Sequence, residues 1–299
     1  MKHALRPIRL LCALLIAVGC ARAAVPPAPA TFEPARWGDG VLAVGWIGHA
    51  TVLVEIAGTV ILTDPAFFER VGPSVGGVTI GPRRLVAPAL SIAQLPRVAA
   101  VVVTHAHFDS LDLPSLRALP KDATLVAPRG CGTLLADLGF RRYVELGWGE
   151  RTEVDGATIE AVPVVHWGRR LPWGESRGYN GYVFSKAGTR ALFASDTAFT
   201  HDFARLRDDH APLAVAILGN GAYDPWIHNH ADPEQVWRMF LESGARALVP
   251  VHWDTFRLGR EPLGDAIRRL KDAAGPDVAR IVVDRVGGSW TSPLERSAL

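Results

Sequence analysis

Two histidines and an aspartate, His105, His107 and Asp109, stand at alternate positions in VVVTHAHFDSLD (101–112), directly after an unbroken apolar run. The run from Val98 to Val103 predicts a β-strand covered on both faces, because β-branched residues without polar alternation leave no side for water. A tight turn at its end can aim two imidazoles and a carboxylate into one small volume. Those are the donors that zinc and similar divalent ions take, at roughly 2.0–2.2 Å, provided the imidazoles are neutral and the carboxylate ionised. A His-x-His-x-Asp triplet also occurs in ordinary polar loops, so the rest of the chain decides its meaning.

The same ending returns three times. VPVVH stops at His166, LFASD at Asp196 and LVPVH at His252, each an apolar strand closed by a potential ligand. Open α/β sheets gather ligands at the carboxyl ends of their strands. Four such endings therefore predict one shared ion site.

The elements that must position these residues can be read in order. Val41–Ile47, Thr51–Ile56 and Val60–Thr63 are short apolar segments broken at Gly-His-Ala and Ala-Gly, which predicts antiparallel hairpins. Asp64 follows the third, and Phe67–Pro88, rich in Gly and Pro, reads as a long irregular loop of the kind that is usually functional. Asp112-Leu113-Pro114 starts a short helix. Strands are predicted at Thr124–Ala127, Tyr143–Leu146, Thr158–Val165, Tyr182–Phe184, Arg190–Ala194, Val215–Leu218, Ala247–Val251 and Ile281–Val283. Helices are predicted at Gly132–Leu138, closed by Gly139, from Asp232-Pro233-Glu234 to Ser243, and at Leu263–Ala273. Alternation of this kind predicts an α/β domain of two stacked sheets with helices outside.

With 299 residues, 48% hydrophobic and 21% charged, the chain can bury a sizeable core. Residues 1–23 read as a signal peptide: basic Lys2, Arg6 and Arg9, an apolar stretch from Leu10 to Val18, then small residues. Ala21-Arg22-Ala23 suits ordinary cleavage, and Ala17-Val18-Gly19-Cys20 is an imperfect lipobox that would leave Cys20 lipidated. The expectation is therefore an exported, periplasmic protein, with a lipid anchor at Cys20 as the variant. Residues 24–36 read as a Pro-rich linker and 37–299 as the domain. Removing the four basic residues of the signal from 32 leaves 28 against 30 acidic, which gives no reason to expect a nucleic-acid partner. Cys131 is then the one cysteine of the mature chain and reads as a packing residue, without a disulfide.

Taken together, GWIGHATVLVE, LTDPAF, THAHFDSLD, VVHWGRR, ASDTAF, GAYDPW, HADPEQ and VPVHWDTF resemble the metallo-β-lactamase superfamily. The resemblance covers nearly the whole mature chain and is closer to the branch of N-acyl-phosphatidylethanolamine phospholipase D and ascorbate-6-phosphate lactonase. It implies an αββα sandwich of two mixed sheets with flanking helices and one or two zinc ions at the sheet edge. It further implies that His105, His107 and His166 hold the first ion, that Asp196 bridges, and that Asp109, Asp196 and His252 hold the second. Asp64 would steady the ligand loop and His230 would face the substrate. His49 is expected to be a supporting or turn histidine, and His228 to lie on the surface. One departure stands out: the pattern has histidine after Asp109, where this chain has Ser110. A hydroxyl is a poor zinc ligand, so the second site is expected to be weakened or to take another divalent ion.

The chemistry implied is hydrolysis by a metal-bound hydroxide, formed because the ion brings a bound water's pKa to about 7. Asp109 would orient it and His230 would stabilise a phosphoryl oxygen or protonate the leaving group. The branch points to a phosphodiesterase acting on a phospholipid, with peripheral membrane association. Phe67, Phe68, Trp167, Trp173 and Trp226 are candidates to hold acyl chains, and Arg169 and Arg170 to contact phosphate. A lactonase or other small-ester hydrolase is the alternative enzyme. A metal-poor lipid- or ligand-binding protein on the same fold is the alternative without catalysis.

Overall fold

The computed structural model describes residues 24–38 and 40–294. The expected signal segment with Cys20 lies outside the described residues. Among the described residues the strands are β1 (Val41–Gly48), β2 (Thr51–Ile56), β3 (Thr59–Thr63), β4 (Ser74–Val75), β5 (Val78–Thr79), β6 (Ala100–Val102), β7 (Thr124–Pro128), β8 (Arg142–Leu146), β9 (Arg151–Val154), β10 (Ala157–Val162), β11 (Gly181–Lys186), β12 (Thr189–Ala194), β13 (Val215–Gly219), β14 (Ala247–Val251) and β15 (Ser289–Pro293). The α-helices are α1 (Leu113–Ala118), α2 (Gly132–Leu135), α3 (Asp202–His210), α4 (Pro233–Ser243) and α5 (Asp265–Ala274).

The strands form a seven-stranded sheet, β15-β1-β2-β3-β6-β7-β8, a six-stranded sheet, β14-β13-β12-β11-β10-β9, and a small β4-β5 hairpin. Each large sheet is mixed: β3, β6, β7 and β8 pair in parallel, as do β12, β13 and β14, and the remaining pairs are antiparallel. Period-two alternation sorts the second sheet's side chains between two cores. Ala191, Phe193, Val215, Ile217 and Val249 join the core shared with the first sheet, while Leu192, Ala216, Leu218 and Leu248 pack with Phe203, Val236, Phe240 and Leu270 of α3–α5. On the first sheet's side, Leu116 and Leu135 of α1 and α2 join the shared core. This is the α/β arrangement of two mixed sheets between helices that the resemblance implied.

Two helix starts follow local chemistry. Asp112 caps α1, its carboxylate accepting from Ser115 N (3.1 Å). Asp232 caps α4 through Gln235 N (2.9 Å), and Gln235 Oε1 accepts from Asp232 N (3.2 Å), a reciprocal capping box.

Several boundaries differ from the sequence expectation. Ile281–Val283 is not a strand; Ile281 makes a single bridge to Leu248, and the final strand is β15, paired with β1. Its sequence, SWTSP, is polar because it is an exposed edge, and so carries no apolar run to detect. β9 and α3 also went unseen, β9 for its brevity and α3 because only Phe203 and Leu206 of nine residues are buried. β10 stops at Val162, since Pro163 has no N–H to continue the ladder. The Pro-rich stretch expected to be a linker lies against the domain: Phe32 is in the shared core, stacked on Trp37, and its ring fills the space a Cβ on Gly45 would need.

Candidate metal centre

Strand direction explains why the candidate residues meet. β1 and β3 both run antiparallel to β2, and β6 runs parallel to β3, so the carboxyl ends of β1, β3 and β6 share one edge. Those ends deliver His49, Asp64 and, three residues on, His105. In the second sheet β10, β12 and β14 likewise run one way, delivering His166, Asp196 and His252. Three of these residues, His49 (φ 55°), Asp64 (φ 33°) and His252 (φ 65°), are in the left-handed region, which non-glycine residues avoid and which clusters at functional sites.

His105, His107 and His166 form the first group. His105 Nε2 lies 2.8 Å from His107 Nδ1, and His166 Nε2 lies 3.2 Å from the same atom. The outer nitrogens of His105 and His166 are committed elsewhere, whereas that of His107, Nε2, is buried without a partner. Thr104 Oγ1 donates to Asp64 Oδ2 (2.6 Å) and so accepts from His105 Nδ1 (2.9 Å), while Asp64 Oδ1 accepts from Thr104 N (2.7 Å). His166 Nδ1 donates to the Asn229 carbonyl (3.0 Å). Both tautomers leave Nε2 with a lone pair facing the group, the arrangement that prepares imidazole for a metal. His107 Nδ1 can satisfy these contacts by donating a proton, and a metal ion would take that proton's place.

The second group is built differently. Asp109 Oδ2 is 2.9 Å from His49 Nε2 and 3.2 Å from His252 Nε2, and His252 Nε2 is 3.1 Å from Asp196 Oδ2. Asp196 reaches the first group too, at 3.6 Å from His105 Nε2 and 4.0 Å from His166 Nε2. That places it between the two groups, where a bridging ligand belongs. Ser110 is fully buried, and its Oγ has no hydrogen-bond partner.

Burial pushes the imidazoles of His105 and His107 below their usual range, His49 and His166 to about 4 and His230 to about 3, so all are neutral near pH 7. Burial opposes the charge on Asp109, but hydrogen bonds from His252 and His49 outweigh it and hold the carboxyl well below its usual range. Asp196 is held low in the same way, chiefly by His252. His252 is the exception, because Asp196 and Asp109 overcome its burial and raise it to about 10. Two ionised carboxylates thus keep one positive charge among neutral imidazoles, which is the electrostatic demand a divalent ion meets.

The centre opens into a chamber of about 200 Å³ lined by His107, Asp109, Trp167, Asp196, Ala222, Trp226, His230 and Leu258. A second lobe of about 310 Å³ shares His107, Asp109, Trp167 and Leu258 and extends along Val71, Pro73, Ile80 and Phe108. Trp167 packs edge-on to His107 with ring centroids 4.4 Å apart, and His230 lies 5.1 Å from His166 and 5.3 Å from His252, centroid to centroid. Trp167, Trp226 and His230 are therefore brought to the site.

Phe67 and Arg169 are not. Phe67 is in the shared core, its backbone N–H donating to Ser115 Oγ, and its exposed neighbour Phe68 lines a separate groove under the β4-β5 hairpin. Arg169 is exposed and reaches only the Pro172 carbonyl. Arg170, grouped with it as a phosphate contact, instead donates to the carbonyls of Ala106 and Leu111 (2.8 Å each), strapping the ligand loop. His228 is exposed, as expected.

Thr104, the link between Asp64 and His105, has no signal in the sequence; His49, expected to support the site, touches Asp109. The signal for His49 was present, since GWIGH is a further apolar strand closed by a potential ligand.

The family model for the beta-lactamase superfamily domain matches residues 59–253. The uncharacterized protein Rv0906 of Mycobacterium tuberculosis is 37% identical over 289 residues, covering 94% of this chain and 77% of that protein. The N-acyl-phosphatidylethanolamine-hydrolyzing phospholipase D 1 of Caenorhabditis elegans is 29% identical over 269 residues, covering 82% of this chain and 74% of that protein. Among solved structures, the isothiocyanate hydrolase from Delia radicum gut bacteria superposes with a TM-score of 0.68 at 21% identity, covering 85% of this chain and 100% of that one. With the paired sheets and the convergent His and Asp groups, these likenesses show that the chain belongs to the β-lactamase superfamily and is a metal-dependent hydrolase of the metallo-β-lactamase fold.

Proposed function

We propose that the chain is a phosphodiesterase acting on a diester with an apolar, lipid-like substituent. The observation that carries this is the position of Asp109: one face joins His49 and His252, and the other opens on a chamber walled by Trp167, Trp226 and Leu258. His105, His107, His166 and Asp196 would hold one divalent ion, and Asp109, Asp196 and His252 a second; zinc suits this donor set. When bound, such ions supply Lewis acidity and bring water's pKa to about 7.

The chain's own residues do the rest. Asp109, ionised at neutral pH, accepts a hydrogen bond from the attacking water and fixes its direction toward the chamber. His230, neutral and half enclosed by His166 and His252, lies where it can donate to a phosphoryl oxygen or to the departing alkoxide. Trp167, Trp226 and the apolar lobe hold the substituent and exclude water. The relationship to the nematode phospholipase supports a phospholipid substrate, and export with contact to a membrane surface would bring enzyme and lipid together.

A second reading, a small ester or lactone as substrate, is favoured by the modest 200 Å³ of the inner chamber. Turnover of an N-acylated phosphatidylethanolamine, a chromogenic phosphodiester and a simple lactone, compared on one metal-loaded preparation, separates the two. Phosphodiester turnover exceeding lactone turnover supports the first, and the reverse order replaces it with the second.

A further inference from the structure

We propose that His49 is itself a ligand of the second ion, its Nε2 taking the coordination position that Ser110 cannot fill. This rests on the reading of the centre as a two-ion site and adds to it the identity of a ligand.

The geometry is that of a coordination shell. His49 Nε2, Asp109 Oδ2 and His252 Nε2 converge, with Asp109 2.9 Å from one nitrogen and 3.2 Å from the other. Ligand bonds of about 2.0–2.2 Å in a tetrahedron put neighbouring donor atoms about 3.3–3.6 Å apart, so a small outward relaxation around an ion reproduces the set. The ring is fixed in this pose. It is 1% exposed, lies 4.0 Å from the His252 ring, and stands edge-on to Phe256. Its backbone is held by Thr255 Oγ1 on the N–H (2.9 Å) and by Trp46 Nε1 (2.7 Å) and His252 N (3.1 Å) on the carbonyl. Three hydrogen bonds and a left-handed backbone at a non-glycine residue are a costly way to build an ordinary turn between β1 and β2.

Ser110 supplies the other half. Its buried Oγ contacts no donor or acceptor, although it is the residue next to Asp109. The two carboxylates and His252 alone would leave the second ion with three ligands, two of them oxygen. His49, arriving from the first sheet beside His252, restores a second imidazole.

The competing role is positional: His49 Nε2–H donating to Asp109 without touching an ion. Metal content and cobalt absorption distinguish the two. The full chain, freed of metal by chelation and reloaded with Co²⁺, is compared as wild type, His49→Gln, and the double variant His49→Gln/Ser110→His. Glutamine can still donate to Asp109 but is a poor ligand for cobalt or zinc. Wild type should bind two ions, and His49→Gln should bind the second at least about 100-fold more weakly while the first ion and its spectrum persist, which also shows that the variant folds. Ser110→His should restore the second ion in the double variant. Two ions with unchanged affinity and spectrum in His49→Gln, or one ion in both proteins, would overturn the assignment. A wild type that binds no ion would instead overturn the metal-centre reading.

Discussion

The two ligand groups share Asp196 but are held in opposite ways. In the first, the outer nitrogens of His105 and His166 are hydrogen-bonded, to Thr104 and to the Asn229 carbonyl, and Asp64 backs Thr104 through two contacts. In the second, the outer Nδ1 atoms of His49 and His252 are buried without a partner, and both residues have left-handed backbones. Outer hydrogen bonds set tautomer and ring orientation and strengthen the ligand. The first group is accordingly an imidazole-rich site preformed at His105 and His166, while the second relies on backbone placement and carboxylate charge. The first should bind tightly and the second should exchange.

The comparison breaks most visibly at His105. His105→Ala should remove the first ion and lower turnover by on the order of 10³-fold, read by metal content and initial rate on one preparation. Asp64→Asn tests the outer support alone. It leaves every donor facing the ion intact, so affinity at the first site should fall about 10- to 100-fold with the second site unchanged, measured by chelator competition. Equal loss at both sites would mean that Asp64 holds the whole edge rather than one group.

Protons sharpen the contrast in the metal-free protein. His49, His166 and His230 are held below the ordinary imidazole value of about 6.5. The unfolded chain takes up protons there before the folded one does, so their contribution is full above pH ~6.5 and is lost as pH falls through about 4 for His49 and His166 and about 3 for His230. His252, raised to about 10, has the opposite sign: its contribution is full below pH ~6.5 and is lost as pH rises through about 10. The melting temperature without metal should therefore peak near pH ~6.5, and adding Zn²⁺ should flatten the alkaline decline by replacing the proton on His252. A metal-free melting temperature flat from pH 4 to 10 would contradict this. The smallest effect belongs to the chamber wall. Trp226→Ala should raise KM for an acylated diester about three- to tenfold with little change in kcat or metal content, because the half-exposed ring lines the chamber and is not among the candidate metal ligands.

Much of the centre was legible because its residues close apolar strands. His105, His166, Asp196 and His252 could be found this way because parallel strands end together, and Asp64 follows β3 by the same rule. His49 follows it too, but GHA between two apolar runs also reads as a hairpin turn, and only the parity of strand directions, with β1 and β3 both opposed to β2, shows that it arrives at the ligand edge. Phe67 misled because the loop after Asp64-Pro65 turns back under α1, burying the first phenylalanine and exposing the second. Arg170 was read for its charge, whereas its guanidinium satisfies two loop carbonyls, a role set by tertiary proximity across more than fifty residues. α3 and β15 escaped because their stability comes from one small contact face, and most of their side chains are in water.

The most direct test is a titration of the metal-free protein with Zn²⁺, following heat of binding and phosphodiester turnover in the same sample. Two binding phases of unequal affinity, with turnover rising through the second, are expected from a preformed imidazole site beside a carboxylate-rich one. Full occupancy in a single phase, or two ions bound with no turnover of any diester, would contradict it.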